Sequence, residues 1–516
     1  MSWQPEVDEI EQRREFAHGL GGTAAVARQH EFGKMTARER VDMLCDEDSF
    51  HELGALTGSA EYDADGKLTN VTPSNSVIGK GRVNKKRIVI SADDFTIRGG
   101  SSESSVSEKW IYAERLAVDM QVPLVRLVDT AGGSVRLLEK QGATKLPGYS
   151  SWDSANMLGE IPVIGVALGA CAGLGAIKVA GSHFSVMVKG TSQLFAAGPP
   201  VVEAGMQRTL TKEELGGYMI HARGSGVVDN EAEDEADAID QVKRFLSYLP
   251  RNVYRIPDVQ SCDDDPNRRE EGLLKIIPRE RRRVFKARKI LEMVLDKGSV
   301  FEIGRYNGPS SITCLGRLNG HPVGILANEP YHYGGAMTLV SSQKIENFVD
   351  LCDTFHIPII NFFDQPGVMI GEEAEQAGTI RAAMRALAAI EQSNTPWCSI
   401  IIRRAFGVAG AAHGRIGGIN MRYAWPSALW GSIPIEGGVA AAYRRELADH
   451  PDPAARTEEL ENHFAQYASP FRTAERFGIN DVIDPRDTRA LLCDWIEDAY
   501  EQLPELVGPR ARTMRR

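Results

Sequence analysis

Two apolar runs dominate the hydrophobic pattern of the chain, residues 161–168 and 397–402. Each is continuous rather than alternating, as expected of a strand buried on both faces. Each runs into a turn rich in small residues. The first is Ala170-Cys171-Ala172-Gly173-Leu174-Gly175-Ala176 and the second Arg404-Ala405-Phe406-Gly407-Val408-Ala409-Gly410. The apolar segment after the first turn reads as the start of a helix. A strand, a tight turn and a helix start leave backbone N–H groups aimed at one spot, which suits an oxyanion. One glycine-rich turn is most often only a turn. The second copy gives the pair its weight.

The same pattern runs through both halves. Thr36-x-x-Glu39 reads as a capping box ahead of Val41, Met43 and Leu44. Short strands are expected over 87–91 and 323–327, each followed by a Gly–Gly turn, Gly99-Gly100 or Gly334-Gly335. Helices follow over 105–119 and 341–355, then buried strands over 125–128 and 359–363. These end in Asp129-Thr130-Ala131-Gly132 and Asp364-Gln365-Pro366-Gly367. Both aspartates are expected to be helix N-caps or turn formers. Strands alternating with helices indicate an α/β class with crossover connections.

The likeness of the halves is a duplication. Ala37-Arg38, Asp46 and Ser49-x-x-Glu52-x-Gly54 recur 250 residues later. From Gly81-Arg82 onward the offset is 235, so the first copy holds 15 extra residues near 55–75. Lys109 and Lys344, Pro123 and Pro358, Asp129 and Asp364 match at that offset, and Gly173 and Gly407 at 234. A unit this long is a domain with its own core rather than a solenoid repeat. The halves fall at about 30–250 and 280–505, which divides the chain into domains 1–270 and 271–516, with a linker over 251–280. The basic run 279–283 and the acidic run 231–237 read as solvated surface, and 510–516 as a frayed tail.

Composition narrows the picture. At 516 residues the chain holds two or three domains. A net charge of −11 without a long basic run leaves nucleic acid an unexpected partner. Seven cysteines with no CxxC pair disfavour zinc ribbons and disulfide frameworks, and no metal site is expected. The N-terminus has neither an apolar h-region nor the acid-poor composition of a transit peptide. No apolar run reaches the roughly 18 residues of a membrane span. A cytoplasmic protein is the expectation.

The ordered set of motifs resembles the carboxyltransferase (β) subunits of biotin-dependent acyl-CoA carboxylases, the propionyl-CoA, methylcrotonyl-CoA and acetyl-CoA carboxylase group. The likeness spans nearly the whole chain. It is carried by residues 33–40, Asp94-Phe95-Thr96, Gly99-Gly100, Ser107-Glu108-Lys109 and Cys171-Ala172-Gly173, then Glu214-Leu215-Gly216-Gly217. The second half adds Gly334-Gly335-Ala336, Arg403 to Gly407, Tyr423-Ala424-Trp425-Pro426 and residues 481–489. The resemblance implies two tandem crotonase-like ββα-superhelix domains, the first holding acyl-CoA and the second biotin. It implies a hexamer with active sites between the N-half of one subunit and the C-half of another. It also implies a partner carrying biotin carboxylase and the biotin carboxyl carrier, because this chain shows neither a biotinylation motif nor an ATP-grasp half.

Carboxyl transfer to a thioester α-carbon develops charge on two oxygens, the thioester carbonyl and the biotin ureido oxygen. Two oxyanion holes answer that need, and no side-chain base is required. The amides of Gly173, Leu174 and Gly175 are assigned to the thioester, and those of Gly407, Val408 and Ala409 to the ureido oxygen. Gly99, Gly100, Lys109 and Lys178 are candidates for binding the CoA substrate, with Arg98 and Arg136 as further candidates for its phosphates. Gly334, Gly335, Ala411 and His413 are candidates for the biotin side. Leu174 and Val408 stand where the family commonly has glycine, and Gly410-Ala411 where larger or polar residues are usual. Alternatives are the α subunit of a decarboxylase running the reverse transfer, and a non-catalytic scaffold paralogue. The sequence leaves the acyl-CoA unnamed.

Overall fold

A computed structural model describes residues 2–144, 148, 152–415 and 417–510. The expected tail from 511 onward lies outside the described residues. The chain divides into two compact units. One runs to Ser247 with Arg251–Val253, the other holds Tyr248–Pro250 and the chain from Tyr254 on.

Each unit is built on an eight-stranded sheet, and the two sheets have the same strand order. In the first, His51–Leu53, Ser76–Val83 and Lys86–Asp93 pair antiparallel. Leu124–Thr130, Val163–Ala172, Phe184–Val188 and Asn230–Ala232 then add in parallel. In the second, Phe301–Ile303, Ser311–Leu318 and His321–Asn328 are antiparallel. Ile359–Gln365, Trp397–Phe406, Asn420–Ala424 and Asp481–Val482 follow in parallel. Register repeats as well as order. Leu124 faces Val163 where Ile359 faces Trp397. The short strands Gln193–Phe195 and Leu429–Gly431 sit off the main path, each against the last residues of the strand that precedes a glycine turn. This is the α/β, tandem crotonase-like architecture expected from the repeat.

The local expectations have visible causes. Ala37–Leu44 starts on a complete capping box, with Thr36 accepting from the Glu39 amide. The helix expected over 105–119 is Ser107–Met120, and its counterpart Leu339–Thr354 begins on a second capping box at Thr338. The extra residues of the first copy form a hairpin, Gly58–Tyr62 against Leu68–Pro73. All ten residues of Val163–Ala172 are buried, which accounts for the unbroken apolar run. Cores form on the faces of each sheet. Val128, Ala167, Cys171 and Leu194 pack together in the first unit, and Ile325, Ile360, Ile400 and Trp425 in the second.

Candidate active site

The two glycine turns sit at the carboxyl ends of parallel strands, where open α/β sheets place their ligands. Gly173 follows Val163–Ala172 with φ 57° and ψ −113°, and Gly407 follows Trp397–Phe406 with φ 63° and ψ −159°. These are conformations that a side chain disfavours. Helix Leu174–Ala180 starts at the first turn and the 3₁₀ helix Val408–His413 at the second.

The structure assigns the donors more narrowly than the motif does. Gly173 N–H donates to Phe195 O and Gly407 N–H to Gly431 O, both at 3.0 Å. Neither glycine amide is available to a ligand. The first intrahelical bonds are Ile177 N–H to Gly173 O, 3.1 Å, and Gly410 N–H to Gly407 O, 3.0 Å. The orphan donors of each helix start are therefore Leu174, Gly175 and Ala176 in the first unit, of which Leu174 and Gly175 directly follow the glycine, and Val408 and Ala409 in the second. The glycines aim the turn and the residues after them supply the N–H groups. Leu174 and Val408 do not obstruct this, because only their backbone is used. The Val408 side chain points outward, 77% exposed.

The Gly–Gly turns are sewn to the same strand ends. Ala131 N–H donates to Gly99 O at 2.9 Å and Thr130 Oγ1 to Gly100 O at 2.6 Å. In the second unit Arg404 Nη2 donates to Gly334 O at 2.7 Å and Asn328 Nδ2 to Gly335 O at 3.1 Å. In each unit, then, a Gly–Gly turn and a glycine-started helix converge on neighbouring strand ends.

Asp129 and Asp364 cap no helix, contrary to expectation. Both are fully buried and act as ion-pair hubs. Asp129 is held by Lys34 Nζ at 2.8 Å and Arg40 Nη1 at 3.1 Å, and Arg40 also grips Glu235 at 2.6 Å. Asp364 is held by Arg403 at 2.8 Å and Arg404 at 2.6 Å. The repeat keeps the carboxylate and moves the cations. At the positions of Lys34 and Arg40 the second copy has Val284 and Ile290. At the positions of Arg403 and Arg404 the first copy has Gly169 and Ala170. Arginine does not fit at Gly169, since even a Cβ there would lie 2.0 Å from Asp129 Oδ1. The matched aspartates were the one sequence signal of these hubs.

Lys109 and Lys178 are not surface anchors for phosphate. Lys109 is buried, with Nζ on Ser74 Oγ at 3.1 Å, and burial pushes its pKa down to about 8. Its repeat partner Lys344 likewise turns inward, onto Gly304 O at 2.8 Å. Lys178 is buried, its Nζ 3.8 Å from the Trp110 ring centroid, and desolvation lowers its pKa against the pull of Asp93 and Glu114. Glu114 is paired with Arg126 at 2.9 Å. Beneath the first donor helix there is thus a charged cluster of Asp93, Lys178, Glu114 and Arg126. The second unit has Asn328, Ala412, Val349 and Asn361 at the same repeat positions, all neutral.

His413 ends the second turn. Its Nδ1 lies 2.7 Å from Gly410 O, its ring stands edge-on to Phe363, and burial lowers its pKa. Ala411 is exposed on that turn. Among the described residues, no group of three His, Cys, Asp or Glu side chains is placed to hold a metal ion, and no helix is long and apolar enough to cross a membrane.

Residues 28–510 match the model of the carboxyl transferase domain family. The chain is 34% identical to the carboxyltransferase subunit of Haloferax mediterranei propionyl-CoA carboxylase, over 95% of each chain. It is 33% identical to the α subunit of Veillonella parvula methylmalonyl-CoA decarboxylase, over 91% of each. Among solved structures it is similar to the transcarboxylase 12S hexamer with methylmalonyl-coenzyme A and methylmalonic acid bound. That match has a TM-score of 0.86 at 27% identity and covers 100% of this chain and 98% of the other.

Proposed function

The chain belongs to the carboxyl transferase family, and from that premise we propose which of its atoms carry out the transfer between biotin and the α-carbon of an acyl-CoA. The observation that carries the reading is the pair of matched turns. Each ties up its glycine N–H and leaves at least the next two amides at a strand end with no intrahelical acceptor.

The acyl-CoA thioester oxygen is held by Leu174 and Gly175 N–H. As the α-proton leaves, charge grows on that oxygen, and the fixed amides stabilise it without having to reorganise. Removing one such donor costs roughly 2.7–4 kcal/mol. The body of the acyl-CoA is assigned to the 1390 Å³ cleft between the N-terminal helices and residues 95–99, whose lining reaches Gly99 of the Gly–Gly turn. Biotin, when bound, supplies the carboxyl group. The amides of Val408 and Ala409 fit its ureido oxygen, being two adjacent donors at a helix start, ahead of its first intrahelical bond. Asp364 adds no charge there, because its carboxylate is consumed by Arg403 and Arg404. Gly334, Gly335, Ala411 and His413 frame that site, with His413 neutral at physiological pH.

The finer assignments of partner, assembly and location are part of this proposal. A biotin carboxylase and carrier partner completes the cycle, and the hexamer named for transcarboxylase 12S is the assembly proposed here. The protein is placed in the cytoplasm. The scaffold reading is weakened by the intact donors at both turns. The test is an assay with a partner subunit, ATP, bicarbonate and a panel of acyl-CoAs. Carboxylation of at least one thioester is expected. Failure with every thioester, while the partner still carboxylates its own biotin, overturns the assignment.

A further inference from the structure

The basic run 279–283, expected to be solvated surface, helps to line a cavity. This cavity has a volume of about 490 Å³ and lies wholly within the second unit. Its floor is apolar, with Ile277, Trp425, Leu429 and Ile435, and Leu273 closes one side. Arg279 and Arg281 stand at its mouth, both exposed, and Arg403 lies at the back. No acidic residue lines it. Glu436 approaches Arg281 only to 3.9 Å. Volume and apolar lining are those of a small-molecule site.

The electrostatics of the back wall favour an anion. Asp364 is one carboxylate shared by two guanidiniums, Arg403 and Arg404, so this strand end keeps an uncompensated positive charge. Arg403 is pinned there by Arg283 O at 2.8 Å and by the Phe285 ring, 4.7 Å from its guanidinium carbon. Arg279 and Arg281 add two charges at the mouth. The two rim guanidiniums over an apolar floor match an amphipathic carboxylate, its headgroup at the rim and its chain along Ile277, Trp425, Leu429 and Ile435, while Arg403, fully bonded at the back, contributes only its long-range field.

We propose that this cavity binds a medium-chain carboxylate, at a site separate from the transfer machinery and independent of the reading given for it. The cavity wall is mechanically joined to the second turn. Leu429 lines it and belongs to the short strand Leu429–Gly431, which pairs with residues 404–406 and accepts the Gly407 N–H on Gly431 O. An occupant therefore stiffens the strand that holds the second pair of donors.

The experiment is equilibrium dialysis of radiolabelled decanoate against the full chain, with decanol and decyltrimethylammonium as comparators. Decanoate is expected to bind saturably and more tightly than either. Arg279→Gln with Arg281→Gln, both at exposed positions, should weaken it about tenfold or more through loss of charge-assisted bonds. Hydrogen exchange at residues 429–431 should slow when decanoate is bound. The proposal is overturned by absence of saturable binding, equal affinity for decanol, indifference to the double substitution, or binding that leaves 429–431 unprotected.

Discussion

At single residues, the positions of most consequence are the two that break the glycine pattern. Leu174 and Val408 are donors through their backbone, so their side chains are a poor guide to the loss of function. Proline tests this directly. Both residues occupy the first position of a helix, where proline's fixed φ is tolerated and no intrahelical bond is lost. Leu174→Pro and Val408→Pro should each keep the fold and slow transfer a hundredfold or more, in line with the roughly 2.7–4 kcal/mol of an oxyanion donor. Full activity in either variant, measured by steady-state carboxylation, removes that amide from the mechanism. Gly407→Pro is a worse probe, since it also deletes the bond to Gly431. Lys109 supplies a separate test in pH. Its folded pKa, about 8, lies below the ordinary 10.5 because burial disfavours the charge. The unfolded chain then holds the extra proton between those values, and stability rises with pH across that window. In urea melts wild type should gain on Lys109→Met from about pH 8 to 10; a constant difference contradicts the buried lysine. Neither behaviour was legible in the sequence. Lys109 read as a candidate for the CoA substrate because nothing local shows that Ser74 and the Gly54 turn close over it.

At the level of elements, strands and helices were legible nearly to the residue, because their causes are local: an unbroken apolar run, a capping box, a glycine after a strand. The partners of the buried charges were not, because they come from distant segments. Asp129 takes its cations from residues 34 and 40, ahead of the sheet, whereas Asp364 takes them from its neighbouring strand. Two copies of one element kept the same buried carboxylate by different routes, Asp129 with two cations and Glu235, Asp364 with two cations alone. The donor helices diverge in the same manner. Under Leu174–Ala180 lie Asp93 and Lys178, and under the second turn lie Asn328 and Ala412. Removing one member of a buried ion pair strands the other and costs about 3–5 kcal/mol, whereas replacing both is often close to neutral. Lys178 feels Asp93 through space rather than through a direct ion pair, so Lys178→Ala should destabilise the chain by leaving Asp93 less compensated, and adding Asp93→Asn should recover part of the loss. A double-mutant cycle by chemical denaturation measures this. Strict additivity shows that the two groups do not interact and that the cluster is held by its other members.

For the whole molecule, the duplication is the feature the sequence displayed best, and in the proposed reading it removes the need for a side-chain base. In that reading each half presents one anion site, and the transfer uses two such sites with different occupants. The halves are unequal where the occupants differ. The first has the 1390 Å³ cleft of the N-terminal helices, which reaches its Gly–Gly turn at Gly99, while the second has a bare turn with Val408 and Ala411 exposed. A turn that exposes apolar side chains next to its donors is fit to be covered by something larger, which is the physical content of placing each active site between subunits. Two outcomes follow at this scale. Sedimentation equilibrium of the purified chain should give six times the protomer mass of 56.6 kDa; a stable monomer active with a biotin-carrier partner excludes shared sites. Mixing Leu174→Pro subunits with Val408→Pro subunits separates the possibilities further. If a site joins the first turn of one subunit to the second turn of another, some sites in the mixed assembly receive two intact turns and activity returns. If both turns of a site come from one chain, every site in the mixture carries a broken turn and none returns.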